Sequence, residues 1–330
     1  MSGPIWKQRL RTYLGPCLAA LLFVLAVRML IDEASEITWQ QFRDALLGIP
    51  IVYLVIAALL IALNYCLLIT YDLLALQYLR QSLPLRRVAL VAFLGYSLGN
   101  NLGTLVAAAP VRFHFYSRWG LGAGQIVALL AFGGLTFWSG VWLLGGTTLT
   151  LAPIPLPTDV LQLPFTSRAL GIGLLVIWCG YAFTCAVWHR PIPIGGMRLR
   201  SPPLGLMILQ SSVAAVDLTV TSTALYLVLP SEATVPFTLV LAAYLTAIAA
   251  SLITQVPGGL GVLELILLKL LSGAIGTQVL ASLLIFRVLY YVIPLLLGMT
   301  TLVVHEAWYG SSVLRREKKE PQRSFADPIV

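Results

Sequence analysis

Long apolar runs separated by short polar segments dominate the chain. Two apolar regions, 88–110 and 236–272, are interrupted by Gly, Asn or Pro. A membrane-spanning helix needs about 20 apolar residues. Runs of that length lie at 13–31, 50–71, 125–146, 168–188, 204–229 and 279–304. The pattern predicts an all-α, polytopic membrane helix bundle with about 6–8 spanning helices and two broken or re-entrant hairpins.

The composition supports this class. The chain is 59% hydrophobic and only 10% charged, whereas a soluble domain carries about 25% charged residues. No polar stretch is long enough for a separate soluble domain. We therefore expect one integral membrane domain over 1–310 and a basic, disordered tail over 311–330.

The distribution of charge predicts which loops share a side of the membrane. Lys and Arg cluster before the first apolar run, at 80–87, at 112–118, at 190–200 and in the tail, whereas 32–49, 147–167 and 230–235 hold mainly acidic residues. Basic loops of membrane proteins lie in the cytoplasm. The chain is thus expected to be a multi-pass membrane protein with both termini cytoplasmic.

The number of membrane crossings that the charged loops allow predicts the shape of the two interrupted regions. Because the basic segments on both sides of 88–110 belong in the cytoplasm, this region should dip into the membrane and return, with its tip at 99–103. Region 236–272 should enter from the outside and bend at 257–259. Hairpins that enter from opposite sides, one in each half, indicate an inverted repeat.

Several functional classes find no support in the sequence. The net charge of +8 is spread over loops, with no basic stripe carrying stacked aromatics, so we expect no nucleic-acid partner. The four cysteines and three histidines lack metal-ligand spacing. No motif of a soluble enzyme occurs. We expect no cofactor, no metal and no enzymatic activity.

Polar residues inside apolar runs are the candidates for function, because a charge at the bilayer centre costs at least about 2.5–3.5 kcal/mol. Asp217 shares a helix face with Gln210 and Thr221. This stripe either joins helices by hydrogen bonds or lines a cavity. Asn100 and Asn101 either line a polar cavity at the first hairpin tip or provide turn geometry.

Arg287 is a second candidate, since Tyr290 and Tyr291 follow on the same helix face. An arginine with tyrosines can hold a phosphate group, or it can pair internally with Glu264 or Asp217. Glu264 follows a glycine-rich turn, where a carboxylate is favoured at a helix N-terminus. The alternative for Glu264 is a proton or ion relay.

The remaining candidates flank the hairpins. Arg112 follows the first hairpin and either binds an anionic lipid head group at the cytoplasmic face or serves only as a topology signal. The second turn contributes Gln255, Pro257, Gly258, Gly259 and Gly261.

Four passages resemble a known family. They are YDLLALQYL at 71–79, LGYSLGNNLGTLVAAAPVRFHFYSRWGL at 94–121, QVPGGLGVLE at 255–264 and FRVLYYVIPLLLG at 286–298. The chain is similar to the stand-alone transmembrane flippase domain family of lysylphosphatidylglycerol synthetase. The resemblance implies a bacterial inner-membrane protein that binds or translocates phospholipid, without the aminoacyl-transferase domain that makes lysyl-lipid. The passage VAAAPVR at 106–112 departs from the Gly-Gly-x-x-R form of close relatives.

The sequence thus favours a lipid flippase or transporter whose ligand is a membrane phospholipid with an anionic head group. An alternative is an ion-coupled transporter of a small polar solute, with Glu264 or Asp217 carrying the proton. Another is a membrane partner or scaffold for a lipid-modifying enzyme. The sequence leaves homo-oligomerisation open.

Overall fold

A computed structural model describes residues 39–154, 166–188, 192–194, 197–230, 235–254, 256–275 and 278–319. The secondary structure of these residues is helical apart from a two-stranded antiparallel hairpin, β1 (Ile192–Ile194) and β2 (Met197–Leu199). The helices are α1 (Trp39–Gly48), α2 (Ile51–Tyr78), α3 (Leu85–Leu102), α4 (Ala109–Arg118), α5 (Ala123–Gly140), α6 (Gly146–Leu151), α7 (Ser167–Val187), α8 (Leu204–Leu227), α9 (Phe237–Thr254), α10 (Val262–Ile275), α11 (Gln278–Arg287) and α12 (Ile293–Lys319). Single π-helical turns lie at Thr104–Ala108, Val141–Gly145 and Val288–Val292, and a short 3₁₀ turn lies at Pro257–Gly259.

The helices confirm a polytopic membrane bundle. Six of the described helical segments are long and apolar enough to cross a membrane: Ile51–Tyr78, Ala123–Leu151, Ser167–Val187, Leu204–Leu227, Phe237–Thr254 and Val279–Trp308. The predicted run 13–31 and the Pro-rich loop at 155–165 lie outside the described residues. Helix α12 continues to Lys319, so residues 311–319, which were expected to be disordered, are helical, and 320–330 lie outside the description.

Contacts at the helix termini define two ends of the bundle. At one end the Tyr78 hydroxyl, on the last residue of α2, donates to the carbonyl of Arg200 just before α8. Helices α2 and α8 therefore run antiparallel. Many arginines lie at this end, which we call the basic end. At the opposite end α1 packs against α11, and the rings of Tyr226 and Phe237 lie 5.6 Å apart.

The first interrupted region is a helical hairpin that opens at the basic end. Helix α3 runs inward and reverses at Gly103, whose φ of 92° favours glycine, and the chain returns through α4. The Arg87 guanidinium carbon lies 5.2 Å from the Trp119 ring centroid, which holds the two arms together at their mouth. The turn thus lies at Gly103, at the edge of the predicted tip, and the asparagines belong to the last turn of α3.

The second interrupted region is a hairpin that opens at the opposite end. Helix α9 has 18 residues, which is about 27 Å of helix, and α10 returns beside it with 14 residues, about 21 Å. Between them Gly258, Gly259 and Gly261 have φ values of 64°, 63° and 75°, a left-handed backbone that favours glycine. The predicted bend at 257–259 is confirmed.

The two halves of the described chain repeat one order of elements. A long helix, a broken hairpin and a further spanning helix occur as α2, α3–α4 and α5, and again as α8, α9–α10 and α11–α12. Asn64 and Asp217 lie equally far from the first residues of α2 and α8, and they contact each other. Because the hairpins open at opposite ends, this order is that of an inverted repeat.

Candidate functional site

The tips of the two hairpins meet inside the bundle. The end of α3 packs against the turn Pro257–Gly259. The side-chain amide of Asn101 donates to the carbonyls of Ser97, at 2.8 Å, and Tyr291, at 3.2 Å. The first hairpin tip is therefore tied both to its own helix and to the π-helical turn that follows Arg287.

An arginine–carboxylate pair closes the second hairpin. The Arg287 side chain is only 3% exposed and donates to the Glu264 carboxylate. It also donates to the carbonyl of Gly258 at 3.2 Å, and its guanidinium carbon lies 5.3 Å from the Tyr291 ring centroid. Arg287 thus binds the turn and the first turn of α10 at once. Of the two internal partners considered for Arg287, the structure selects Glu264.

Glu264 also satisfies the N-terminus of α10. Its second carboxylate oxygen accepts the Gly261 N–H at 2.9 Å. A carboxylate here stabilises the helix by bonding an otherwise unpaired donor and by opposing the helix dipole. The capping interpretation of Glu264 is confirmed by this geometry, and the relay interpretation stays a hypothesis.

A second buried pair lies in the first hairpin. Arg112 on α4 donates to both carboxylate oxygens of Asp72, at 3.1 and 2.8 Å, and the Tyr116 hydroxyl donates to the same carboxylate at 2.7 Å. The Arg112 guanidinium carbon also lies 4.6 Å from the Tyr96 ring centroid. Arg112 is 2% exposed, so its guanidinium is enclosed by protein in this structure, and head-group binding by Arg112 stays a prediction. The ion pair with Asp72 holds the Arg112 side chain inside the bundle.

Gly95 makes room for this arginine. A Cβ atom built on Gly95 would lie 2.5 Å from Arg112 Nη1 and 3.0 Å from Cζ. The guanidinium is thus seated directly against the backbone of α3. This contact joins the two arms of the first hairpin to α2.

Asp217 forms a third polar centre between α2 and α8. It is 4% exposed, and its carboxylate accepts from the Asn64 amide and, at 2.9 Å, from the Tyr71 hydroxyl. Thr221 accepts from the same amide at 2.7 Å. These bonds are those of the helix-joining interpretation. They also place a carboxylate at the crossing of the two long helices.

Tyrosines connect the centres. The Tyr65 hydroxyl donates to the Tyr290 carbonyl at 3.3 Å. The rings of Tyr290 and Tyr291 lie 4.9 Å apart. Asn101 at the end of α3 thus binds the π-helical turn through the Tyr291 carbonyl, rather than only shaping a reversal.

The structure therefore groups most predicted residues in one place. Around the second turn it brings together Asn100, Asn101, Gly258, Gly259, Gly261, Glu264, Arg287, Tyr290 and Tyr291. Arg112 and Asp217 belong to separate centres that α2 links. The backbone of Pro257 begins the 3₁₀ turn, and Gln255 lies outside the described residues.

The prediction missed the partners that α2 provides. Asn64 and Tyr71 are seven residues apart, as are Tyr65 and Asp72, so the four polar side chains form two adjacent stripes on one helix face. That spacing was readable from the sequence. Asp72 also stands out as a carboxylate near the end of an apolar run.

Comparison with known proteins gives a consistent picture. No protein-family model matches the chain. It is 35% identical over 291 residues to the uncharacterized protein slr0712 of Synechocystis sp., which covers 87% of this chain and 90% of that protein. It is 33% identical over 309 residues to the inner membrane protein YbhN of Escherichia coli, covering 93% and 95% of the two chains. It is also 25% identical over 312 residues to a phosphatidylglycerol lysyltransferase of Staphylococcus haemolyticus, covering 93% of this chain but 35% of that protein.

Proposed function

The chain belongs to the family of the inner membrane protein YbhN, and from this premise we propose that it binds a phospholipid by its anionic head group and moves it across the membrane. The observation that carries the proposal is the Arg287–Glu264 pair at the point where two broken hairpins meet. Broken helices in corresponding positions of two repeats form the substrate site in many transporters.

The chemistry of Arg287 suits a phosphate group. A guanidinium binds carboxylate and phosphate in the same forked geometry. A lipid phosphate could therefore replace Glu264 as the partner of Arg287. The carbonyls of Gly258 and Gly259 accept from the same guanidinium, so they would keep it oriented during the exchange.

Exposure distinguishes the two arginine pairs. The Glu264 side chain is 19% exposed, whereas the Asp72 side chain is 2% exposed. An incoming anion would therefore reach Arg287 before Arg112. We assign head-group binding to Arg287 and treat the sealed Arg112–Asp72 pair as the contact that holds the first hairpin closed.

The surroundings favour a lipid over a free solute. Leu265, next to Glu264, is 45% exposed, and Ile293, the residue that follows the π-helical turn, is 42% exposed. Apolar side chains exposed on spanning helices face acyl chains. A head group bound at Arg287 would therefore have apolar surface beside it for its tails. The likeness to a protein named phosphatidylglycerol lysyltransferase supports an anionic phospholipid as the ligand.

The test is reconstitution into vesicles with fluorescently labelled phosphatidylglycerol, in which translocation is followed by chemical quenching of the outer leaflet. Arg287→Gln and Glu264→Gln should each lower the translocation rate about tenfold or more, since a hydrogen bond to a charged group contributes about 1.5–3 kcal/mol. Arg118→Gln, which removes an equal charge from the surface, is the matched control and should retain the rate. Translocation that survives both pair variants would refute the assignment.

A second candidate is an ion-coupled transporter of a small polar solute. The buried Asp217 network between the two long helices favours it, because intramembrane carboxylates often carry protons or ions. The same vesicles distinguish the candidates: wild-type protein that moves no labelled lipid but accumulates a polar solute would support the second. A lipid-modifying enzyme that copurifies would instead support a role as its membrane partner.

A further inference from the structure

The carboxylates in the membrane-spanning part of the described chain fall into two kinds. Asp72 and Glu264 are each bound by an arginine. The Asp217 carboxylate accepts only from the neutral side chains Asn64 and Tyr71 among the partners that the structure describes. Arginine is a donor only and stays charged, so it fixes its partner in the ionised form. Asp217 has no such constraint.

The neighbours of Asp217 can serve it with or without a proton. Amide and hydroxyl groups can each donate or accept. The Asn64 amide nitrogen donates to the Asp217 carboxylate, while the buried Asn64 Oδ1 has no hydrogen-bond partner. If Asp217 takes up a proton, its O–H needs an acceptor, and rotation of the Asn64 amide presents Oδ1 to it. The structure thus already holds the acceptor that a protonated Asp217 requires.

Titratable neighbours of Asp217 lie on several packed elements. They are Tyr71 on α2, Tyr96 on α3, Tyr244 on α9 and Tyr290 in the π-helical turn. Arg112 lies against the Tyr96 ring and is already bound by Asp72. An ionised carboxylate buried without a cation costs several kcal/mol. These surroundings therefore favour a neutral carboxyl group as long as the bundle is closed.

Asp217 is also connected to both hairpins. Along α2, Asn64 binds Asp217 and the next residue, Tyr65, binds the π-helical turn after Arg287. Further along, Tyr71 binds Asp217 and the next residue, Asp72, binds Arg112 of the first hairpin. A change in the charge of Asp217 would thus act on the helix that carries Asp72 of one ion pair and binds the π-helical turn next to Arg287 of the other.

We infer that Asp217 is a proton-binding site at the centre of the bundle, and that its protonation is coupled to the movement of the hairpins. Asp217 lies about 20 Å from the start of α8 and about 15 Å from its end. One proton adds to the carboxylate and gives a neutral carboxyl group in the closed bundle. The same proton leaves to water when a hairpin opens. Proton binding stands by itself, whereas coupling to lipid movement rests on the proposed function.

Proton binding is tested without any lipid ligand. Infrared difference spectra of the reconstituted protein, recorded through a pH titration, should show a carboxyl band that disappears as the pH rises. The band should be absent from Asp217→Asn. It should remain in Glu264→Gln, the matched control, because that variant leaves the Asp217 carboxyl group in place. Asn64→Leu should shift the frequency of the band, and this second variant retains the test if Asp217→Asn does not fold.

Coupling is tested by measuring labelled phosphatidylglycerol translocation with and without a pH gradient across the vesicle membrane. Wild-type rates should change with the gradient, and the dependence should be lost in Asp217→Asn. Absence of the Asp217 carboxyl band at every pH overturns the inference, whatever lipid moves. A titrating band with wild-type translocation indifferent to the gradient overturns the coupling. A titrating band in a wild-type protein that moves no lipid supports the proton site and refutes the proposed function.

Discussion

Replacement of Asp72 by Asn should be among the most damaging single changes to the stability of the fold. The change keeps the size of the side chain but leaves Arg112 as a buried charge without its counterion. Both side chains of the pair are at most 3% exposed. Removal of one partner of a buried pair costs about 3–5 kcal/mol, because the remaining charge stays desolvated.

The Arg118–Glu306 pair provides the comparison. Arg118 donates to Glu306 at 3.0 Å, but the two side chains are 30% and 15% exposed. A pair that water reaches contributes about 0.2–1 kcal/mol. Arg118→Gln should therefore cost several-fold less than Asp72→Asn, although each change removes one charge from an ion pair.

The assay is chemical unfolding of the purified protein in detergent micelles, followed by tryptophan fluorescence. The double variant Asp72→Leu with Arg112→Met should lose less free energy of unfolding than Asp72→Asn alone, because no charge is left buried. If Asp72→Asn costs no more than Arg118→Gln, the Arg112 guanidinium is not desolvated as the structure shows, and the reasoning fails.

Two further predictions concern glycines, the first at a close contact and the second in left-handed backbone. Gly95→Ala should cost about 1–3 kcal/mol of unfolding free energy, because the new Cβ would lie 2.5 Å from Arg112 Nη1. The loss should be smaller in a protein that already carries Asp72→Asn. If the losses of the two substitutions add, the contact between Gly95 and Arg112 does not cause the loss. Gly261→Ala should cost about 1–2 kcal/mol, since φ is +75° and nothing lies within 4 Å. Gly259→Ala should cost more unfolding free energy than Gly261→Ala, because Gly259 has a φ of +63° and Ser251 Oγ would also lie 2.9 Å from the added Cβ. Equal losses for the two substitutions would refute the packing argument.

The architecture was largely predictable from the order of charged and apolar segments. Positive loops on both sides of 88–110 excluded a single crossing, and the structure has a hairpin there. The same counting located the reversal at 257–259. Such arguments succeed because the membrane permits few arrangements of backbone. Which side of the membrane the basic end faces stays a prediction.

The side-chain partners were much less predictable. Two carboxylates were equally plausible for Arg287, and only the folded chain brings Glu264 to it. Asp72 and Arg112 are 40 residues apart on different elements, and periodicity along one helix does not reveal a contact between helices. Arg112 illustrates this limit, because its position after the first hairpin did not reveal the buried pair that it forms with Asp72.

Taken with the proposed function, the two ion pairs restrict how the hairpins can move. Breaking either pair without replacement costs about 3–5 kcal/mol, so simultaneous opening of both would cost about twice that and would be rare at thermal energies. A lipid phosphate bound by Arg287 offsets the loss of Glu264 at the second hairpin only. Since α2 binds the first hairpin through Asp72 and, seven residues earlier, the π-helical turn beside Arg287 through Tyr65, opening of one hairpin can then proceed while the other stays paired, which is the condition for alternating access.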